Sequence, residues 1–332
     1  MGLNGACIPA IGLFVTTALF GQTGPLQIRD APPSTGNETK EPDGGSQQST
    51  ILRVDSNLVL IRAQVLDRSD HFIAGLSAKN FQVFDERERR PVVNLSREDQ
   101  PVSVGVVLDA SRSMESAMKL TSSILTSFFT TAGPRDEYMA VVVRDRPEKA
   151  FGFIRDVDDV VRTLRQTAIE GETALLDSVY LAAHEMRKAR SPRKALLVIT
   201  DSDDNNSRYR DRDLKNFMRE ADVSLYVLAV PCSDCPLSKP PSAERVLWNI
   251  ADETGGRYIL LDNEKDLPNA LSKLDFRDSY LVGFRPSPLL ADGKYHTVKL
   301  RVSVDDKNLR PRVLWRRGYY APVNSTDVER TR

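Results

Sequence analysis

Val102-Ser-Val-Gly-Val-Val-Leu-Asp-Ala-Ser-Arg-Ser-Met114 is the stretch from which the rest of the chain can be read. Val104, Val106, Val107 and Leu108 form an almost unbroken apolar run that stops at Asp109. A strand with so little polar alternation belongs in the middle of a parallel sheet covered on both faces. Its polar end puts Asp109, Ser111 and Ser113 at the carboxyl edge, where open α/β sheets bind ligands. A carboxylate followed at two-residue intervals by two hydroxyls sets three oxygens on one side of an extended or turning segment, able to converge on a hard cation. Taken alone, the pattern is met more often as a helix-capping turn than as a metal site, so the metal reading depends on partners elsewhere.

Two partners follow in the order that strand-helix repeats supply them. Gly171-Glu172-Thr173 opens an apolar-periodic segment (Ala174, Leu175, Val179, Leu181, Ala182), which places Thr173 at a helix start beside a glycine. The run Ala195-Leu-Leu-Val-Ile-Thr200 is another buried strand, and it ends at Asp201.

With these residues in place, the chain resembles a von Willebrand factor type A domain. That family's metal-ion-dependent adhesion site combines an Asp-x-Ser-x-Ser strand end, a threonine in a following loop and an aspartate at a third strand end. The resemblance implies a divalent cation, Mg²⁺ first, with Mn²⁺ and Ca²⁺ also suited to hydroxyl and water ligands. By the same resemblance Ser111 and Ser113 coordinate directly, Thr173 directly or through water, and Asp109 and Asp201 largely through bridging waters. It implies a binding device for a protein or extracellular polymer presenting a carboxylate, and no enzyme. A structural or assembly scaffold of the cell envelope, with a vestigial metal site, is the alternative. Arg112 and Ser202 stand where the family often has glycine. With Glu172 they are the expected partner-facing residues, Arg112 either attracting a carboxylate or pairing with Asp203 or Asp204.

Length and charge bound the remainder. The chain has 332 residues, room for about two domains. Its 46 basic residues balance 46 acidic ones, which argues against a nucleic-acid or polyanion binder. Ile8 to Phe20 is apolar and no charged side chain precedes Arg29, so residues 1–21 are expected to be a secretory signal and the protein to be exported, periplasmic or extracellular. No later stretch is apolar over about 20 residues, so no membrane insertion is expected after cleavage. Residues 22–50 lack apolar periodicity and read as a linker, and 323–332 as a tail.

Alternating strands flank the central segment. Val59 to Val65, Phe81 to Phe84 and Pro91 to Val93 precede it; Tyr280 to Phe284, Val298 to Val304 and Val313 to Tyr320 follow it. Each group alone has a small core, and two separate β extensions are the alternative to a shared one. Residues 51–100 and 277–322 are therefore expected to build one β-sandwich around an inserted domain at 101–276. The segment Ile73 to Asp85 and the closing Gly318-Tyr319-Tyr320 also resemble a bacterial family related to the von Willebrand factor type A domain. Within the insert, helices are expected at Met118 to Phe129, Val157 to Thr167, Arg212 to Ala221 and Ala243 to Thr254. Strands are expected at Tyr138 to Val143, Ala150 to Ile154, Val223 to Val230 and Tyr258 to Leu261. Together these give a doubly wound α/β fold with a mostly parallel sheet and helices on both faces.

Enzyme signatures are sparse. The sequence has no Gly-x-Ser-x-Gly elbow, no phosphate loop and no His-Glu-x-x-His helix, and His71, His184 and His296 are scattered. Cys232 and Cys235 follow a strand in a Pro-rich loop. In an exported protein they most simply form a local disulfide rather than a redox pair, which would sit at a helix start.

Overall fold

The computed structural model describes residues 58–98, 100–231, 241–261, 263–274, 277–287, 290, 292–306 and 309–322. The expected signal, linker and tail, and the Cys232–Cys235 pair, lie outside these residues.

Four strands come first: β1 (Val59–Leu66), β2 (Phe81–Asp85), β3 (Glu88–Arg90) and β4 (Val92–Glu98). The middle of the chain then alternates β5 (Val102–Asp109), α1 (Met118–Phe129), β6 (Glu137–Val143), β7 (Glu148–Ile154), α2 (Val157–Arg165), α3 (Leu175–Glu185), β8 (Arg193–Thr200), α4 (Asp211–Ala221), β9 (Ser224–Ala229), α5 (Glu244–Thr254), β10 (Arg257–Leu260) and α6 (Leu267–Ser272). The last strands are β11 (Ser279–Phe284), β12 (Tyr295–Val302), β13 (Arg312–Trp315) and β14 (Gly318–Tyr320).

The central sheet runs β10-β9-β8-β5-β6-β7, parallel except for β7, which pairs antiparallel with β6. Every residue of β5 is buried, because both faces of the sheet are covered. Helices α1, α2 and α6 pack on one face through Ile124, Leu125, Phe128, Val160, Leu164 and Leu267. Helices α3, α4 and α5 cover the other through Leu175, Val179, Leu214, Met218, Leu247 and Ile250. Each such side chain, fully buried, contributes about 1.5–3 kcal/mol, so the two helical layers hold the sheet between them. From β5 the chain winds outward to β6 on one side, then returns to β8 on the other. The carboxyl ends of β5 and β8 therefore flank the point where the winding reverses, the place where open α/β sheets bind ligands.

Both flanks contribute strands to each of two further sheets, β13-β1-β11-β4 and β14-β12-β2-β3. Ile61, Ala63, Val65, Val282 and Phe284 of the first face Phe81, Val83, Val298, Leu300 and Tyr319 of the second in one core, the arrangement of a β-sandwich. Two details differ from expectation. The run Val313 to Tyr320 is not one strand: β13 pairs with β1 and β14 with β12, so the chain changes sheets at Arg316-Arg317. There Arg317 pairs with Asp252 and Arg316 with Asp222, tying the crossing to the α4 and α5 ends of the central domain. Helix α6 carries too short an apolar pattern to be read in advance; it forms because Leu267 and Ala270 find the α1 face already apolar.

The sandwich meets the amino edge of the parallel sheet through charge. Arg62 of β1 donates to both oxygens of Glu98 of β4, at 2.7 and 3.2 Å, and Ser279 Oγ donates at 2.8 Å. Arg193 of β8 lies 3.8 Å from the same carboxylate. Burial pushes the Glu98 carboxyl up, but the bonds and charge of Arg62, with Ser279 and Arg193, outweigh it and leave the pKa below the usual carboxylate value of 4.5. A carboxyl whose folded pKa is depressed stabilises the fold above its unfolded pKa, and this contribution is lost as pH falls through the folded value. Glu98→Gln is expected to cost about 2 kcal/mol at pH 7, discounted from the fully buried case because Arg62 is partly exposed. It should also flatten the acid loss of stability below pH 4.5. Urea unfolding across pH 3–7 checks both; an unchanged acid limb would remove Glu98 as its source.

Candidate functional site

At the carboxyl edge of the sheet the side-chain oxygens of Asp109, Ser111 and Ser113 lie within hydrogen-bonding reach of one another. Asp109, the last residue of β5, is fully buried. Its Oδ1 accepts the Ser111 hydroxyl at 2.6 Å and the Ser111 backbone N–H at 3.0 Å. Ser111 Oγ lies 3.2 Å from Ser113 Oγ. Ser111 is the N-cap residue of a short 3-10 helix, Arg112–Ala117, yet its side chain makes no capping bond there. The three oxygens turn toward one another and not onto the helix terminus, which separates this geometry from an ordinary capping turn.

The opposite side of the crevice is supplied by β8. Thr200 Oγ1 donates to Asp109 Oδ2 at 2.6 Å, so both carboxylate oxygens of Asp109 are oriented by hydroxyls. Asp201 follows, 2% exposed; its Oδ1 accepts the Asp203 N–H at 3.1 Å, while its Oδ2 is buried with no hydrogen-bond partner. A buried acceptor left without a donor costs about 1–3 kcal/mol. Burial and the neighbouring Asp201 charge raise the Asp109 carboxyl from its usual value to about 6, against the lowering effect of its Ser111 and Thr200 bonds.

Thr173 stands on the adjacent loop, 3% exposed. Gly171 precedes it with a φ of +84°, a backbone turn that an L side chain resists, and its carbonyl accepts the Arg112 N–H at 3.2 Å. The Glu170 N–H in turn donates to the Ala110 carbonyl at 2.9 Å, so the loop is zipped to the end of β5.

Of the expected partner-facing residues, Arg112 and Glu172 are exposed. Asp203 is bonded to Ser242, and Asp204 Oδ1 accepts the Leu175 N–H, while no ion pair joins either to Arg112 among the described residues. Ser202 departs from expectation. It is fully buried in a left-handed conformation (φ 63°), its Oγ lies 2.9 Å from the Tyr258 hydroxyl, and its N–H donates to Thr200 Oγ1 at 2.9 Å. Ser202 therefore tethers the loop from within and does not face a partner. The sequence does not single out Thr200 or Tyr258, because the apolar pattern of a buried strand does not reveal which hydroxyl turns to Asp109 or to Ser202 across the crevice.

Among the described residues no cluster of three or more histidine, cysteine, aspartate or glutamate side chains could hold a metal. A cation at this edge would rest on three hydroxyls and water as much as on Asp109 and Asp201. The chemistry fits a hard divalent ion: all donors are oxygens, two carboxylates repel each other across the crevice, and one buried carboxylate oxygen lacks a partner.

Residues 104–203 match the family model of the von Willebrand factor type A domain. No curated protein matches the chain in sequence. Among solved structures, the chain is similar to an aerotolerance-related membrane protein from Bacteroides fragilis (18% identity over 52% of this chain and 99% of that one, TM-score 0.41). It is similar to proximal thread matrix protein 1 from the mussel byssus, in a structure with a zinc-occupied MIDAS motif (17% identity, 56% and 49% covered, TM-score 0.46). A von Willebrand factor type A protein from Catenulispora acidiphila is similar over 81% of this chain and 75% of its own, at 11% identity and a TM-score of 0.44.

Proposed function

With a von Willebrand factor type A domain in the middle of the chain as premise, we propose that the protein binds a carboxylate-bearing protein or extracellular polymer through a divalent cation held at the carboxyl edge of its parallel sheet. Asp109, Ser111, Ser113, Thr173 and Asp201 would hold the ion, Mg²⁺ first among the candidates. When bound, the cation supplies an electrophilic position for an acidic oxygen of the partner, since few of its ligands carry full charge. The chain's own contribution is orientation: Thr200 and Ser111 hold the Asp109 carboxylate, and the zipped 170–173 loop brings Thr173 to the same edge. Exposed Arg112 adds a guanidinium suited to a second carboxylate oxygen. The observation that carries this reading is the partnerless Asp201 Oδ2, buried on the edge where Asp109, Ser111 and Ser113 converge. The proposal places the protein outside the cytoplasm; no described helix is long and apolar enough to cross a membrane.

The test has two stages. Calorimetric titration of Mg²⁺ and Mn²⁺ into the metal-stripped protein should show saturable binding. At a concentration a hundredfold above Kd the bound ion should add about 2.7 kcal/mol to unfolding stability. A carboxymethyl-dextran surface should then retain the protein with Mg²⁺ and release it in chelator. Saturable metal binding with no metal-dependent retention would favour a scaffold in which the ion only stabilises the fold; no metal binding would remove the adhesion reading.

A further inference from the structure

The loop after Asp201 does more than connect β8 to α4. The Thr173 backbone N–H donates to the Asn205 side-chain Oδ1 at 2.9 Å, and the Thr173 carbonyl accepts the backbone N–H groups of Asn205 and Asn206, each at 3.1 Å. Both polar backbone groups of one buried threonine are thus held by two consecutive residues of another loop. We infer that Asn205 is a positioning residue for the metal site, setting where the Thr173 hydroxyl stands by fastening its backbone.

The fastening is specific because the rest of the loop is pinned elsewhere. Asp204 Oδ1 accepts the Leu175 N–H at 3.1 Å, and the Asp204 N–H donates to Ser242 Oγ at 2.8 Å. The buried Asp177 carboxylate accepts the N–H groups of Arg208 and Tyr209, both at 2.9 Å. Asn206 Nδ2 donates to the Asp145 carbonyl at 2.7 Å, on the loop that holds the neighbours of Thr173 and not Thr173 itself: the Arg144 carbonyl accepts the Ala174 N–H at 3.0 Å and Asp145 Oδ1 accepts the Glu172 N–H. Removing the Asn205 amide therefore leaves the loop's path intact and frees one N–H, that of Thr173. Asp201 and Thr173 lie on different loops, and neither reaches the other through secondary structure; Asn205, four residues after Asp201, sets the spacing between them. Groups that orient a metal ligand without touching the metal commonly change affinity 10- to 100-fold when lost.

The inference rests on the proposed metal reading, and the experiment separates the two. Mg²⁺ and Mn²⁺ are titrated calorimetrically into the parent, Thr173→Ala, Asn205→Ala, Asn205→Asp and Asn206→Asp proteins, with unfolding measured in chelator alongside. Asn205→Ala should weaken metal binding about tenfold while its unfolding midpoint in chelator stays close to that of Asn206→Asp. Asn205→Asp keeps the acceptor for the Thr173 N–H and should bind as the parent does. Asn206→Asp carries the same charge one residue on and loses the bond to Asp145, yet should also bind as the parent does. Metal binding by the parent that Thr173→Ala weakens and Asn205→Ala does not overturns the positioning role alone. Equal losses in Asn205→Ala and Asn206→Asp overturn it too, since they would mark general loosening of the loop. Absence of metal binding by the parent overturns the role together with the reading beneath it.

Discussion

Asp109→Asn is expected to abolish saturable Mg²⁺ and Mn²⁺ binding, a loss of at least about 100-fold, while leaving the protein in chelator no less stable than the parent. The two halves of this result come from one feature. Asp109 is fully buried beside a second buried carboxylate, so in the absence of a cation its charge is held against burial and against Asp201. Asparagine removes that charge at nearly the same volume and keeps an oxygen for the Ser111 N–H and hydroxyl; the Thr200 hydroxyl loses its acceptor, but relief of the buried charge outweighs that bond and leaves a change on the order of 1 kcal/mol in favour of the metal-free fold. The same substitution leaves Asp201 as the single carboxylate among the five proposed ligands, too little charge for a site whose other oxygens are hydroxyls. Calorimetry for the metal and urea unfolding in chelator give the two readings. Metal binding at parental affinity would show that the ion sits elsewhere; a large loss of stability in chelator would show that Asp109 is a structural hydrogen-bond hub first.

Gly256→Ala should destabilise the protein by more than about 3 kcal/mol, beyond the usual range for an added methyl, because the obstacle is backbone. Helix α5 ends at Gly255, which takes the left-handed conformation (φ 77°), and the Gly256 N–H returns to the Ala251 carbonyl at 2.8 Å. A Cβ on Gly256 would stand 1.8 Å from the Leu225 carbonyl oxygen and 2.6 Å from its carbon. Leu225 belongs to β9, paired on both sides, so it cannot withdraw without breaking the ladder to β8 or β10. Equilibrium urea unfolding measures the effect, and a cost within about 1 kcal/mol would mean that the turn shifts freely and the close approach is not essential. The sequence marks the helix end at Gly255-Gly256, but both glycines serve that role equally on paper. Only the packed structure shows that Gly255 is needed for its dihedral angle and for the Trp315–Arg316 backbone against it, and Gly256 for lack of a side chain against Leu225.

The same division runs through the whole chain. The long apolar runs at Val104 to Leu108 and Ala195 to Ile199 are legible because a strand buried on both faces has no room for polar residues, and their polar ends mark the edge where Asp109 and Asp201 stand. Helix α1 is legible for the same reason, its period matching the face it buries. Amphipathic spacing is a local consequence of local geometry, so it survives in one dimension. The flanking strands carry the right alternation, yet nothing in Val313 to Tyr320 tells that its halves join different sheets, since that depends on where β1 and β12 already lie.

At the site, residue types and spacing determine which oxygens are available, and the strand ends determine which edge they share. The tertiary structure alone decides that Ser202 turns inward to Tyr258, that Thr200 holds Asp109, that Asn205 fastens Thr173, and that Asp201 Oδ2 has no partner. Hydrogen bonds between segments 30 to 90 residues apart depend on directions fixed to a few tenths of an ångström by the packing of both sheet faces. Sequence periodicity records which side of an element is buried, not where across the crevice its polar atoms point.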